Sequence, residues 1–337
     1  MQRNYSVWVA IVLGAALAAI LIRPARAQEQ FQFETDLAAN RRVFKDVGPG
    51  FRDIRRGPNG NYYILTAPAP ALLIYNAAGT LIGEIPSESA ARSKGASIVY
   101  GESLDVDREG RVAVCDRGAG AVKIYAPNGT LAATIPVPAP ISAVLLPGEE
   151  VGVSSVNANH LVTVYDMRGK VVSDYGDREE ISDRPDVNNQ VNWGHISTDE
   201  AGNTYFAFNY LPEPTVRKFD RAGYLVLEIS LKTLEFQPAA QAARKAIARL
   251  DRNSPPELHR IISAMGVDSR TQDIWVAIGT LLMHFDKDGQ RVASFRTSMP
   301  HGERIEAATI LVEPDRLLIG ADPQGTYEFP KPEKLPQ

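Results

Sequence analysis

The sequence predicts an all-β protein: a six-bladed β-propeller with an N-terminal strand closing the last blade and one helical insertion between blades four and five. Three observations predict it. A unit of strand, tight turn, strand, gap, strand, tight turn, strand recurs along the 337-residue chain, and self-similarity on this scale marks stacked modules. The turn glycines hold their separation, nineteen residues from Gly60 to Gly79 and from Gly110 to Gly129, and twenty-one from Gly202 to Gly223. The last unit has only three strands, while a lone strand-like stretch precedes the first. One four-stranded sheet cannot bury both of its faces, but blades stacked around an axis can.

Taken in order, the chain opens on an address. Arg3 precedes an uncharged run from Val7 to Ile22, and Arg23-Pro24 leads to Ala25-Arg26-Ala27, the small-residue pattern of a signal-peptide cleavage site. The run covers about 24 Å at about 1.5 Å per residue, short of a bilayer core of about 30 Å. Residues 1–27 therefore read as a signal peptide cleaved after Ala27, the protein as secreted or periplasmic, and membrane contact as limited to an uncleaved leader. Residues 28–40 form an N-terminal arm, 41–329 the propeller and 330–337 a proline-rich tail.

Complete units span Phe51 to Pro86, Ser103 to Pro136, Ile141 to Tyr175, Gly194 to Ser230 and Ile262 to Thr297. Their strands alternate or run apolar, as in Val112-Ala113-Val114, and their turns carry Asn-Gly, Glu-Gly, Arg-Gly or Asp-Gly, where glycine supplies positive φ. In the fifth unit Gln272 stands where the first-turn glycine belongs. Ala308 to Phe329 gives the three-stranded sixth unit, and Arg41-Arg42-Val43-Phe44-Lys45 is expected to be its outer strand. Pro238 to Leu250, rich in helix formers and followed by Pro255-Pro256, is expected to be a helix, with Arg244, Lys245 and Arg249 as a basic lip over the channel or simply a solvated face.

Residues 112–136 (VAVCDRGAGAVKIYAPNGTLAATIP) and 151–176 (VGVSSVNANHLVTVYDMRGKVVSDYG) resemble NHL repeats, and Asn159-His160-Leu161 spells the signature. The resemblance extends as architecture over residues 41 to 329, while units five and six depart from the motif. It implies a secreted bacterial NHL-type six-bladed propeller, whose expected job is extracytoplasmic binding of a protein, peptide or glycan partner.

Composition excludes other classes. A net charge of −4, or −7 beyond Ala27, gives no basic field for nucleic acid, and the single Cys115 allows neither an internal disulfide nor a cysteine-based zinc cluster. No nucleophile elbow, phosphate loop or dinucleotide fingerprint occurs. A monomer is expected. The connectors Ser87 to Tyr100, Gly176 to Trp193, Leu211 to Thr215 and Leu231 to Arg260 are long and emerge at one end of the blades, which makes that face the expected binding face. Residues ahead of the innermost strands should ring the channel mouth: Tyr100, Glu102, Asn192, Trp193, His195, His259, Arg304 and Glu306. Related gluconolactonase-like propellers hold a metal here with Glu, Asn and Asp oxygens. That resemblance gives the alternative of a metal-dependent, lactonase-like hydrolase at the channel mouth, with calcium as the candidate ion on Glu102, Asn192 and Glu306. A three-histidine zinc site from His195, His259 and His301 has no metal-ligand spacing to support it.

Overall fold

The computed structural model describes residues 35–67, 72–87, 91–232, 236–250 and 254–332. The apolar leader and the cleavage position after Ala27 lie outside them. Among the described residues no helix is long and apolar enough to cross a membrane.

Six sheets form the blades, each with four antiparallel strands. Blade one holds β3 (Phe51–Arg56), β4 (Tyr62–Thr66), β5 (Leu72–Tyr75) and β6 (Leu81–Ile85); blade two holds β7 (Gly101–Val106), β8 (Val112–Asp116), β9 (Ala121–Tyr125) and β10 (Leu131–Pro136). Blade three follows with β11 (Pro140–Leu146), β12 (Glu150–Ser155), β13 (Val162–Asp166) and β14 (Val171–Tyr175). Blade four comprises β15 (Gly194–Thr198), β16 (Thr204–Phe208), β17 (Thr215–Phe219) and β18 (Leu225–Ser230). Blade five comprises β19 (Ala264–Val267), β20 (Ile274–Ile278), β21 (Leu281–Phe285) and β22 (Arg291–Ser298). Blade six has β23 (Thr309–Val312), β24 (Arg316–Ala321) and β25 (Gly325–Pro330), and its outer strand is β2 (Arg41–Val43), antiparallel to β25 with Arg42 opposite Tyr327. The two ends of the chain thus share one sheet, as the sequence predicts.

The innermost strands β3, β7, β11, β15, β19 and β23 neighbour one another in turn, and β23 returns to β3. Apolar clusters fill the gaps between successive blades. Leu65, Leu72 and Ile85 meet Leu104, Val112 and Val114 between blades one and two, and Phe51, Ile54 and Ile64 meet Leu318 between blades one and six. At that last junction the chain leaving β2 turns inward at Phe44 (φ 48°), and its ring packs between Tyr62 and Tyr75 with centroids 5.1 Å from each. Gly320 faces Phe51 so closely that a Cβ there would lie 2.0 Å from the ring, which only glycine tolerates.

The tight turns hold their shape by a repeated bond. Asp107 Oδ1 accepts from the backbone N–H of Glu109 and Arg111, and Asp166, Asp199, Asp220 and Asp286 make the same pair of bonds in their own turns. Gln272 adopts φ 65° without being glycine, and its Oε1 accepts from Lys218 Nζ at 2.8 Å.

Two elements were not legible in the repeat. Residues within the arm form β1 (Thr35–Ala38), which adds in parallel to β22 as a fifth strand of blade five. A short helix α1 (Pro185–Val191) lies in the connector before blade four. The predicted insertion is α2 (Gln237–Ala248) between blades four and five; nearby Phe236 and Leu250 anchor its ends in the clusters of blades four and five and of blades three and four.

Phe44→Ala should lower stability by about 3–5 kcal/mol, because it empties a packed site at the closure. The exposed Lys45→Ala should stay within about 0.5 kcal/mol of the parent, and chemical denaturation followed by far-ultraviolet dichroism measures both.

Candidate functional site

The long connectors and the starts of the innermost strands meet at one end of the ring. In blades one and two the register shifts between Phe51 and Asp53 and between Gly101 and Ser103. A bulge re-aims the intervening side chain, and the residues in question are Arg52 and Glu102. Arg52 Nη2 donates to the Tyr100 hydroxyl at 2.6 Å, and its guanidinium lies 5.3 Å from the Tyr100 ring centroid. Glu102 Oε1 accepts from Arg117 Nη1 at 3.0 Å. From there Arg117 reaches beyond its own blade, its guanidinium standing 5.4 Å over the ring of Trp193, on the connector entering blade four. Trp193 in turn meets Tyr210 edge to face at 5.7 Å.

A buried ion pair holds this arrangement in place. Asp116 and Lys123 are 2.7 Å apart and almost wholly buried, and Lys123 also donates to the Ser97 carbonyl. Asp116 accepts the backbone N–H groups of Val99, Tyr100 and Ala119, fixing the segment before β7 and the loop that carries Arg117. Burial works against charge on Asp116, but the Lys123 and backbone hydrogen bonds outweigh it and keep its pKa below the ordinary carboxylate range.

Below the mouth the channel wall is polar. Asp53 Oδ1 accepts from Thr309 Oγ1 of blade six and its Oδ2 from the Leu104 N–H of blade two. Ser103 Oγ and Asp105 Oδ2 accept from Ala143 and Leu145 of blade three, and Ser142 Oγ accepts from Ile196 of blade four. Arg55 pairs with Asp53 at 2.6 Å and lies 3.8 Å from Asp105. Burial raises the Asp105 pKa, with the Arg55 charge opposing the rise. His195 is partly buried on β15, and burial, with Arg260 and Arg55 adding positive charge nearby, holds its pKa down to about 3.

The remaining predicted residues are placed as follows. Asn192 caps the C-terminal end of α1: its Oδ1 accepts from the Glu179 N–H, and its Nδ2 donates to the carbonyls of Glu179 and Asn188. His259 and Glu306 are exposed, and Arg304 turns toward β1, donating to Asp36 at 2.7 Å. Among the described residues no three His, Cys, Asp or Glu side chains are grouped to hold a metal ion. As a donor for the implied calcium Asn192 does not fit in this arrangement, since three backbone groups engage its amide, and Glu102 has one of its two oxygens on Arg117. Of the basic residues on α2, Arg244 is paired with Glu213 at 2.5 Å. The connectors are joined to each other, Arg184 Nη2 donating to the Ser254 carbonyl at 2.8 Å, so they form one wall beside the mouth.

Sequence reasoning missed Arg52, Arg55, Arg117, Tyr210 and Arg260. Aligning Phe51 with Gly101 as strand starts would have placed Arg52 opposite Glu102. Nothing local signals that Arg117 meets Trp193.

No protein-family model matches the chain, and no curated protein matches it significantly. Solved structures do match. A virginiamycin B lyase from Staphylococcus aureus aligns at 14% identity over 87% of this chain and 88% of its own, with TM-score 0.51. A gluconolactonase from Xanthomonas campestris aligns at 14% identity over 86% and 89%, with TM-score 0.54. The WD40 repeats of RRP9 align at 10% identity over 88% and 99%, with TM-score 0.57. At these identities the likeness is one of fold.

The His195 imidazole is expected to titrate near pH 3 by nuclear magnetic resonance. Its unfolded counterpart takes up a proton below about pH 6.5, so the folded state loses stability as pH falls from there toward 3. His195→Gln should flatten that limb of the stability curve by up to about 1.4 kcal/mol per pH unit.

Proposed function

We propose that this protein is an extracytoplasmic binding propeller of NHL type, taking a protein, peptide or glycan ligand on its long-connector face at the mouth of the central channel. The observation that carries the reading is the contact between Arg117 of blade two and Trp193 at the entrance to blade four. It brings a cation, an aromatic ring and the Glu102 carboxylate together where the connectors converge. Recognition sites commonly combine a few polar groups with aromatic walls on a rigid scaffold. On the short-turn face Arg56 likewise stands over an aromatic ring, that of Tyr62, but there the guanidinium and the Tyr62 hydroxyl are both bound to the buried Glu313. Export rests on the leader sequence.

An array of peptides and glycans probed with the purified protein tests the reading. Binding to a subset is expected, weakened at least about tenfold, or about 1.4 kcal/mol, by Arg117→Ala and by Trp193→Ala. Binding that survives both changes, or none at all, would refute it. Elemental analysis belongs to the same experiment: stoichiometric calcium lost on Glu102→Gln would replace this reading with the metal-dependent hydrolase.

A further inference from the structure

We infer that the group of the ligand recognised at the channel mouth is a carboxylate. The inference rests on the binding reading above and concerns only what is bound. Two hydrogen-bond donors at the mouth are shielded from water and have no acceptor among the described residues: Nε of Arg52 and Nε1 of Trp193. A buried donor left unpaired costs about 1–3 kcal/mol, so its retention calls for an acceptor that arrives from outside. The Trp275 indole also lacks an acceptor among the described residues, but it is sealed inside blade five, stacked on His284 at 4.1 Å. The Trp193 indole differs in lying at the connector face under a guanidinium.

Three acceptor groups at the mouth are already engaged. Glu102 Oε1 binds Arg117, the Tyr100 hydroxyl binds Arg52, and Asp116 binds Lys123 and three backbone N–H groups. Arg52 and Arg260 form no ion pair among the described residues, and Arg260 stands near enough to His195 to bear on its charge. A ligand that completes the site must therefore supply oxygen acceptors and negative charge. A carboxylate does both, and a guanidinium edge is shaped to receive it. The unpaired atoms are themselves buried, which favours a carboxylate on a slender chain end that can enter the mouth over one fixed on a broad surface.

Benzoate, benzyl alcohol and inorganic phosphate, titrated at constant ionic strength, test the inference through tryptophan emission and thermal unfolding. Benzoate is expected to give a saturable change in emission and a raised unfolding temperature, with benzyl alcohol giving neither. Arg52→Gln and Arg52→Lys should each weaken benzoate at least about tenfold, the second keeping the charge but losing the Nε donor. Trp193→Phe should abolish the emission change, and the exposed Lys287→Gln should leave everything as it was. Melting of each variant in the absence of probe separates loss of the site from loss of the fold. Equal responses to benzoate and benzyl alcohol would overturn the inference, as would a response to phosphate alone. In those outcomes the binding face would stand if array binding still depended on Trp193.

Discussion

A propeller whose last sheet had three strands would leave β25 as an open edge and the first and sixth blades joined by side chains alone. Here β2 fills that edge, and a chain of charges runs across the seam behind it. Arg41 reaches Glu328 at 3.0 Å, Glu328 binds Arg316 at 2.8 Å, and Arg316 meets Glu313, which also binds Arg56 and the Tyr62 hydroxyl. The links thus pass from the closing strand through blade six into blade one. Glu313 is 3% exposed, and a carboxylate so placed is tolerable only with its partners present. Closure is therefore both a backbone event and an electrostatic one.

The ring also disposes of the inner edges. Strands around a channel do not pair with the next blade by a regular ladder, so their N–H groups need other acceptors. Asp53, Ser103, Asp105 and Ser142 supply them, each reaching from one blade to the next. The polar lining of the channel is thus part of what holds blades one to four in register. The same lining sets the electrostatics beneath the mouth, where Arg55 is shared between Asp53 and Asp105 and a neutral His195 faces two arginines.

Recognition is built on top of this frame by residues that no single blade could assemble. The buried Asp116–Lys123 pair fixes the loop ends of blade two, and the connectors before blades four and five brace each other through Arg184. Between them Arg52, Tyr100, Glu102, Arg117 and Trp193 converge from blade one, blade two and the entrance to blade four.

The module and its closure were legible from the chain alone, because strand alternation and turn chemistry are local. An Asp or Asn followed by a glycine at the right offset determines a turn whatever lies around it, and three strands at one end with one at the other leave a single way to complete a sheet. Tertiary structure decided the rest. Gln272 takes a glycine-like conformation where the repeat lacks its glycine, Thr35–Ala38 adds in parallel to a strand more than 250 residues away, and Arg117 finds Trp193 across the mouth. These contacts depend on bulges and on which connectors lean together, and a period read along one chain carries no information about either.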